Sequence, residues 1–122
     1  MAHEITITKR SILIDPDIDD LMVTALEGGI NYWCDLAKAK LVPDGIEHEY
    51  LSDLISRGGV IELHDEVMDE KYDLNLSKFL NGVTMACEHY GFNSAQELLE
   101  NHDAEVADVI IQFAIFGEIK YG

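Results

Sequence analysis

Two glycine pairs, Gly28-Gly29 and Gly58-Gly59, constrain this chain most, because each follows a run with helical spacing and each opens backbone conformations closed to other residues. The first pair lies in Ala25-Leu26-Glu27-Gly28-Gly29-Ile30-Asn31-Tyr32-Trp33-Cys34, which also holds the sole tryptophan and one of two cysteines. A helix that stops there through positive φ delivers the aromatic pair at a fixed angle. That geometry names no reaction.

Around these breaks the periodicities predict short elements. Ile5 to Thr8 alternates as a half-buried strand does, and Ser11 to Ile14 extends or follows it. Asp15-Pro16-Asp17 offers a cap followed by proline, and Ile18, Leu21, Met22, Ala25 and Leu26 recur at helical spacing up to Gly28. Four aspartates, Asp15, Asp17, Asp19 and Asp20, suit the positive end of that helix. Residues 31–42 lean toward a strand with Lys38 and Lys40 on its wet face, and Pro43-Asp44-Gly45 signals a turn. Residues 50–56 read as a short helix stopped by the second glycine pair.

Residues 60–67 and 71–76 form the arms of a predicted β-hairpin, with Ile61 and Leu63 facing in and Glu62, His64 and Glu66 facing out. A helix follows on the stripe Leu76, Phe79, Leu80, Val83 and Cys87 and stops at Gly91. Ser94 to Glu97 has the form of a capping box. Asp103 caps a last helix with the stripe Val106, Val109, Ile110, Phe113 and Ala114, ended by Gly117, after which Glu118 to Tyr121 reads as an edge strand. The expectation is one α+β domain over residues 1–122, a small, mainly antiparallel sheet covered by three to four helices. No phosphate-binding glycine fingerprint joins a strand to a helix, which argues against Rossmann and P-loop folds.

The 24 acidic residues outweigh 8 basic ones, for a formal net charge of −16. Phosphate-neutralising nucleic-acid binding needs clustered Lys and Arg, so direct binding to nucleic acid is excluded as an expectation. An anionic surface instead suits solvation, or imitation of a duplex toward a basic protein. No apolar run approaches the length of a bilayer span and no export signal opens the chain, which points to the cytosol. Cys34 and Cys87 stand among apolar neighbours, outside any metal or CxxC spacing, and read as reduced core residues. Asn75-Leu76-Ser77 matches a glycosylation triplet but reads better as a helix start.

The usual hydrolase, redox and NTPase signatures are missing, which favours binding over catalysis. Glu62, His64 and Glu66 share one face of a strand and would be the ligands of a metal-dependent enzyme, although structural metal sites usually carry more His or Cys. No cofactor is expected. Arg57 with Gly58 and Gly59 is a sharper pattern, since a guanidinium beside free backbone N–H groups suits a phosphate. Asn31, Tyr32 and Trp33 would complete a nucleotide-sized pocket if the aromatic face stacks a base while Arg57 holds its phosphate. In the last helix Phe113 and Phe116 do not share one face, and an exposed phenylalanine there would favour a homo-oligomer.

The segments ALEGGINYWC (Ala25 to Cys34), ISRGG (Ile55 to Gly59) and AD…FGEI (Ala107-Asp108 through Ile119) resemble a family of small acidic proteins of unknown activity from tailed phages and prophages. The resemblance spans nearly the whole chain. It implies a phage accessory protein of the host cytoplasm, of a kind that often counters host defence. Two partners follow. One is a small nucleotide-type signal sequestered at Arg57, the glycine pairs and Tyr32-Trp33, as sponge proteins do. The other is a basic host defence protein, such as a nuclease whose nucleic-acid channel an acidic mimic fills, in the manner of DNA-mimic anti-CRISPR proteins.

Overall fold

The computed structural model describes residues 1–7 and 10–122, and Thr8, read into the first strand, lies outside them. Strands β1 (Ala2–Thr6) and β2 (Arg10–Ile14) pair antiparallel, with His3 opposite Leu13 and Ile5 opposite Ser11. Those four residues are buried while their neighbours are exposed, the period of two that alternation predicts. Helix α1 (Asp15–Thr24) follows without a loop. Its cap is Ile14, not Asp15: the Asp17 carboxylate accepts the Ile14 N–H at 3.0 Å, which frees Asp15 to meet the ring of His3 at 2.7 Å.

Past Thr24 the helix widens into one π-helical turn, Ala25–Gly29. Neither Gly28 nor Gly29 has positive φ, so the expected left-handed stop does not occur. Gly29 is required for closeness instead. A Cβ there would lie 2.8 Å from the carbonyl oxygen of Ala104, where the turn abuts the start of the last helix.

The second sheet has the order β3-β4-β5, all antiparallel, from Cys34–Leu41, Val60–Asp65 and Glu70–Leu74. Leu63 stands opposite Ala37 on one side and Tyr72 on the other, and irregularities interrupt β3 beside Asp35 and Lys40. Ile61, Leu63 and Leu74 are buried, whereas Glu62 and His64 face outward. The expected single sheet is therefore two small ones, and Tyr32 and Trp33 precede β3. Between β3 and β4 a turn at Pro43–Gly45 is closed by the Ile46 N–H on Pro43 (3.1 Å). The helix expected over 50–56 is only a 3₁₀ turn, Leu51–Asp53, followed by tight turns that end on Gly58 at φ +87°.

Helices α2 (Leu76–Tyr90), α3 (Ala95–Asn101) and α4 (Ala104–Phe116) complete the α+β fold. Their caps are local. Asn75 accepts from the Lys78 N–H, Ser94 from Glu97 and Asp103 from Val106, while Gly91 and Gly117 end α2 and α4 in the left-handed region. The capping box is offset by one residue, because Glu97 accepts from the N–H of Asn93 instead of Ser94. Helices α2 and α4 press together at Gly82, where a Cβ would stand 2.4 Å from the Ile110 carbonyl oxygen. One core joins both sheets and all four helices, built on Trp33, Phe79, Leu13, Leu63 and Ile110 among others. Phe113 and Phe116 are both partly buried against it, so neither is the exposed ring an interface would use. Among the described residues no helix is long and apolar enough to cross a membrane.

The expected edge strand Glu118 to Tyr121 is not formed. Its backbone is taken by one side chain: the Gln112 amide oxygen accepts the N–H groups of Lys120 (2.7 Å) and Tyr121 (2.8 Å), and its nitrogen donates to the Tyr121 carbonyl (3.1 Å).

Candidate functional site

The residues read as a nucleotide pocket separate into two groups with different partners. Trp33 is fully buried, its indole N–H donating to Asp108 of α4 at 2.7 Å. Phe116 and Tyr121 pack on the indole at centroid distances of 5.3 and 5.8 Å. No face of that ring is left for a base. Tyr32 is 54% exposed, but its hydroxyl donates to the other oxygen of Asp108, and burial together with that carboxylate pushes its pKa up to about 12. Gln112 donates to Asp108 as well, at 3.0 Å. The aromatic pair is thus the mount of a buried carboxylate, for which a tryptophan N–H is a natural partner. Asn31 is exposed beside it.

Arg57, in the turns before β4, points to Asp53 and to Asp19 of α1. One guanidinium nitrogen donates to the carbonyl of Asp53 at 2.7 Å and lies 3.8 Å from the carboxylate of Asp19. The N–H groups expected to cradle a phosphate are spent: Arg57 and Gly59 donate to Leu54, and Gly58 to Ile55. An anion entering here would meet Asp19 and Asp53 with no free backbone donor among these three residues. The shallow hollow that Arg57 and Gly58 line, about 330 Å³, is mostly apolar, and its other basic side chain, His3, is matched by Asp15.

A larger groove lies on the other side of Asp19, between α1 and the Tyr50–Asp53 segment, with a volume of about 370 Å³. Val23, Leu26, Tyr50 and Leu51 give it apolar lining, and Asp19, Asp20, Glu27 and Asp53 line it with carboxylates. Burial raises the Asp19 carboxyl above its ordinary range; the Ser56 hydroxyl, donating at 2.6 Å, works against this, and the charge of Asp53 adds to it. A cation placed here relieves that repulsion. The sequence signal was legible, because Asp19, Asp20, Val23, Leu26 and Glu27 fall on one helical face. Abundant acids at a helix start have a sufficient explanation in the helix dipole, which hid it.

The proposed metal face does not converge. Glu62 pairs with Lys38 at 3.3 Å, His64 is held by Asp35 and Asp69, and Glu66 lies beyond the end of β4. Among the described residues no three His, Cys, Asp or Glu side chains are arranged to hold a metal ion. Cys34 and Cys87 are buried free thiols, and burial raises both pKa values, that of Cys87 to about 11. Neither is poised as a nucleophile.

Comparison of the chain with family models, curated proteins and solved structures gave no match.

Proposed function

We propose that the protein is a non-catalytic binding protein that docks on a basic protein partner, with the groove between α1 and Tyr50–Asp53 taking the partner's Lys or Arg side chains. The observation that carries this is that four carboxylates and four apolar or aromatic side chains line one concavity. A lysine or arginine is itself amphipathic, so its stem covers Val23, Leu26 and Leu51 while its head meets the carboxylates, and Tyr50 adds an aromatic face for the cation. The net charge of −16 would steer such a partner from a distance. In the phage setting implied by the ALEGGINYWC, ISRGG and FGEI segments, the partner would be a host defence protein whose nucleic-acid surface is occupied by an acidic mimic.

Arg57 distinguishes this reading from an anion site by the sign of its effect. It is a cation of the chain's own beside Asp19, so Arg57→Ala should tighten binding of a fluorescent Arg- and Lys-rich peptide followed by anisotropy. A nucleotide sponge would lose its ligand in the same variant. Charge reversal in the groove, Asp20→Lys with Glu27→Lys, should weaken the peptide about tenfold or more, equivalent to about 1.4 kcal/mol. Reversal of the same number of charges at exposed Glu100 and Glu105 should change it far less. Equal losses in both variants would leave only diffuse attraction and defeat the groove.

A further inference from the structure

On the outward face of the second sheet, β4 carries His64 between the irregularity of β3 and the turn that joins β4 to β5. Its Nδ1 stands 2.5 Å from a carboxylate oxygen of Asp35, and its Nε2 2.7 Å from one of Asp69. A neutral imidazole has one N–H and one lone pair. It can donate to one of these ionised carboxylates but must turn its lone pair toward the other, so only the imidazolium satisfies both contacts at once.

The turn leans on this bond. Asp69 is the only non-glycine residue with positive φ among those described, at +54°, a conformation unfavourable for a residue with a Cβ. The other end of the turn is anchored separately, by the buried Asp65 carboxylate accepting the N–H groups of Val67 and Met68. At that end the side chains of Val67 and Met68 are displayed to solvent. The charged groups around the ring come from every neighbouring element. β3 brings Asp35, and its Lys38 is already paired with Glu62 of β4; β5 brings Lys71, the register partner of His64, with Glu70 beside it; the turn brings Glu66 and Asp69.

We propose that His64 is a proton-operated clamp, which as imidazolium ties Asp35 of β3 to Asp69 of the turn and, on giving one ring proton to solvent, releases one carboxylate and loosens the Asp69 end of the turn that displays Val67 and Met68. The sign follows from the contacts. Hydrogen bonds to Asp35 and then Asp69 outweigh desolvation and raise the histidine's pKa above 6.5. A raised value in the folded state means that the clamp's contribution is complete below 6.5 and is lost as pH rises through the raised value. The turn is therefore held below 6.5 and loosened as pH rises through the histidine's raised value.

The test is an NMR titration of the full chain, following the ring nitrogens of His64 and the amides of residues 66–70 together. Expected is a His64 midpoint above 6.5, both ring nitrogens protonated below it, and turn amides that shift with the same midpoint. Asp69→Asn, at a side chain 91% exposed and in a left-handed conformation that Asn also adopts, should leave the chain folded, lower the midpoint and uncouple the turn; Asp35→Asn should lower it as well. A midpoint at or below 6.5, or turn amides indifferent to it, overturns the clamp.

Discussion

At the scale of single residues, Asp108 is the pivot. It is buried on α4, yet three side chains meet it: the indole of Trp33, the hydroxyl of Tyr32 and the amide of Gln112. Donors aimed at a buried carboxylate are strong when matched and costly when orphaned. Asp108→Ala is expected to destabilise the fold by about 3 kcal/mol in a denaturant titration, because it strands the buried indole donor and removes an acceptor shared by Tyr32 and Gln112. Asp108→Asn should lose less, since it keeps one acceptor, although its NH₂ must then face one of the existing donors. Equal losses in the two variants would show that the full carboxylate is what these donors require and that one retained acceptor of the same volume does not replace it. This pivot was hidden in the sequence for a physical reason: 75 positions separate Trp33 from Asp108, and no local pattern records a contact of that range. A tryptophan beside two glycines is compatible with a binding face or a core. The carboxylate waiting on α4 decides for the core.

At the scale of elements, what was legible is what is decided within a turn of chain. Asn75, Ser94 and Asp103 cap their helices with bonds to residues three positions on, and Gly91 and Gly117 stop two of them, so those boundaries follow from the residues themselves. The elements misread are those settled from afar. Glu118 to Tyr121 alternates as a strand should, but Gln112 takes up its backbone groups before any strand can. The pair Gly28-Gly29 has the look of a helix stop, whereas only Gly29 is required, and by Ala104, far along the chain. Gly82 shows the same logic between α2 and α4. Gly82→Ala drives a methyl group against the Ile110 carbonyl and Ala114, and should cost about 1–3 kcal/mol through displacement of the packed helices. Gly28→Ala is the contrasting case. Nothing lies within 4 Å of its Cβ position and its φ is ordinary, so thermal unfolding should show no loss and a gain of up to about 1 kcal/mol. A loss at Gly28 comparable to that at Gly82 would restore a conformational role to the first glycine of the pair.

For the molecule as a whole, the charge was plain in the sequence and its placement was not. A sum of −16 says that the surface repels itself and attracts cations, but only the fold sets Asp53 beside Asp19 across a groove, because Asp53 arrives on a different segment. The same charge then acts in two directions that one variable, ionic strength, separates. Folding gathers 24 carboxylates into a compact body, and the ion pairs on the described surface, such as Lys38–Glu62 and Lys40–Asp73, neutralise few of them. The folded state therefore bears more repulsion than the unfolded chain, in which the charges move apart. Raising salt shortens the screening length from about 30 Å at 0.01 M to about 10 Å at 0.1 M. Screening over that span should raise the thermal unfolding midpoint, while in the same buffers it should weaken the Arg- and Lys-rich peptide at the groove, because that attraction crosses solvent too. Calorimetry and anisotropy measured side by side read the two slopes. Opposite signs are expected; a midpoint that falls with salt would mean that local ion pairs, and not net repulsion, govern stability, and binding insensitive to salt would take the groove's carboxylates out of the interaction.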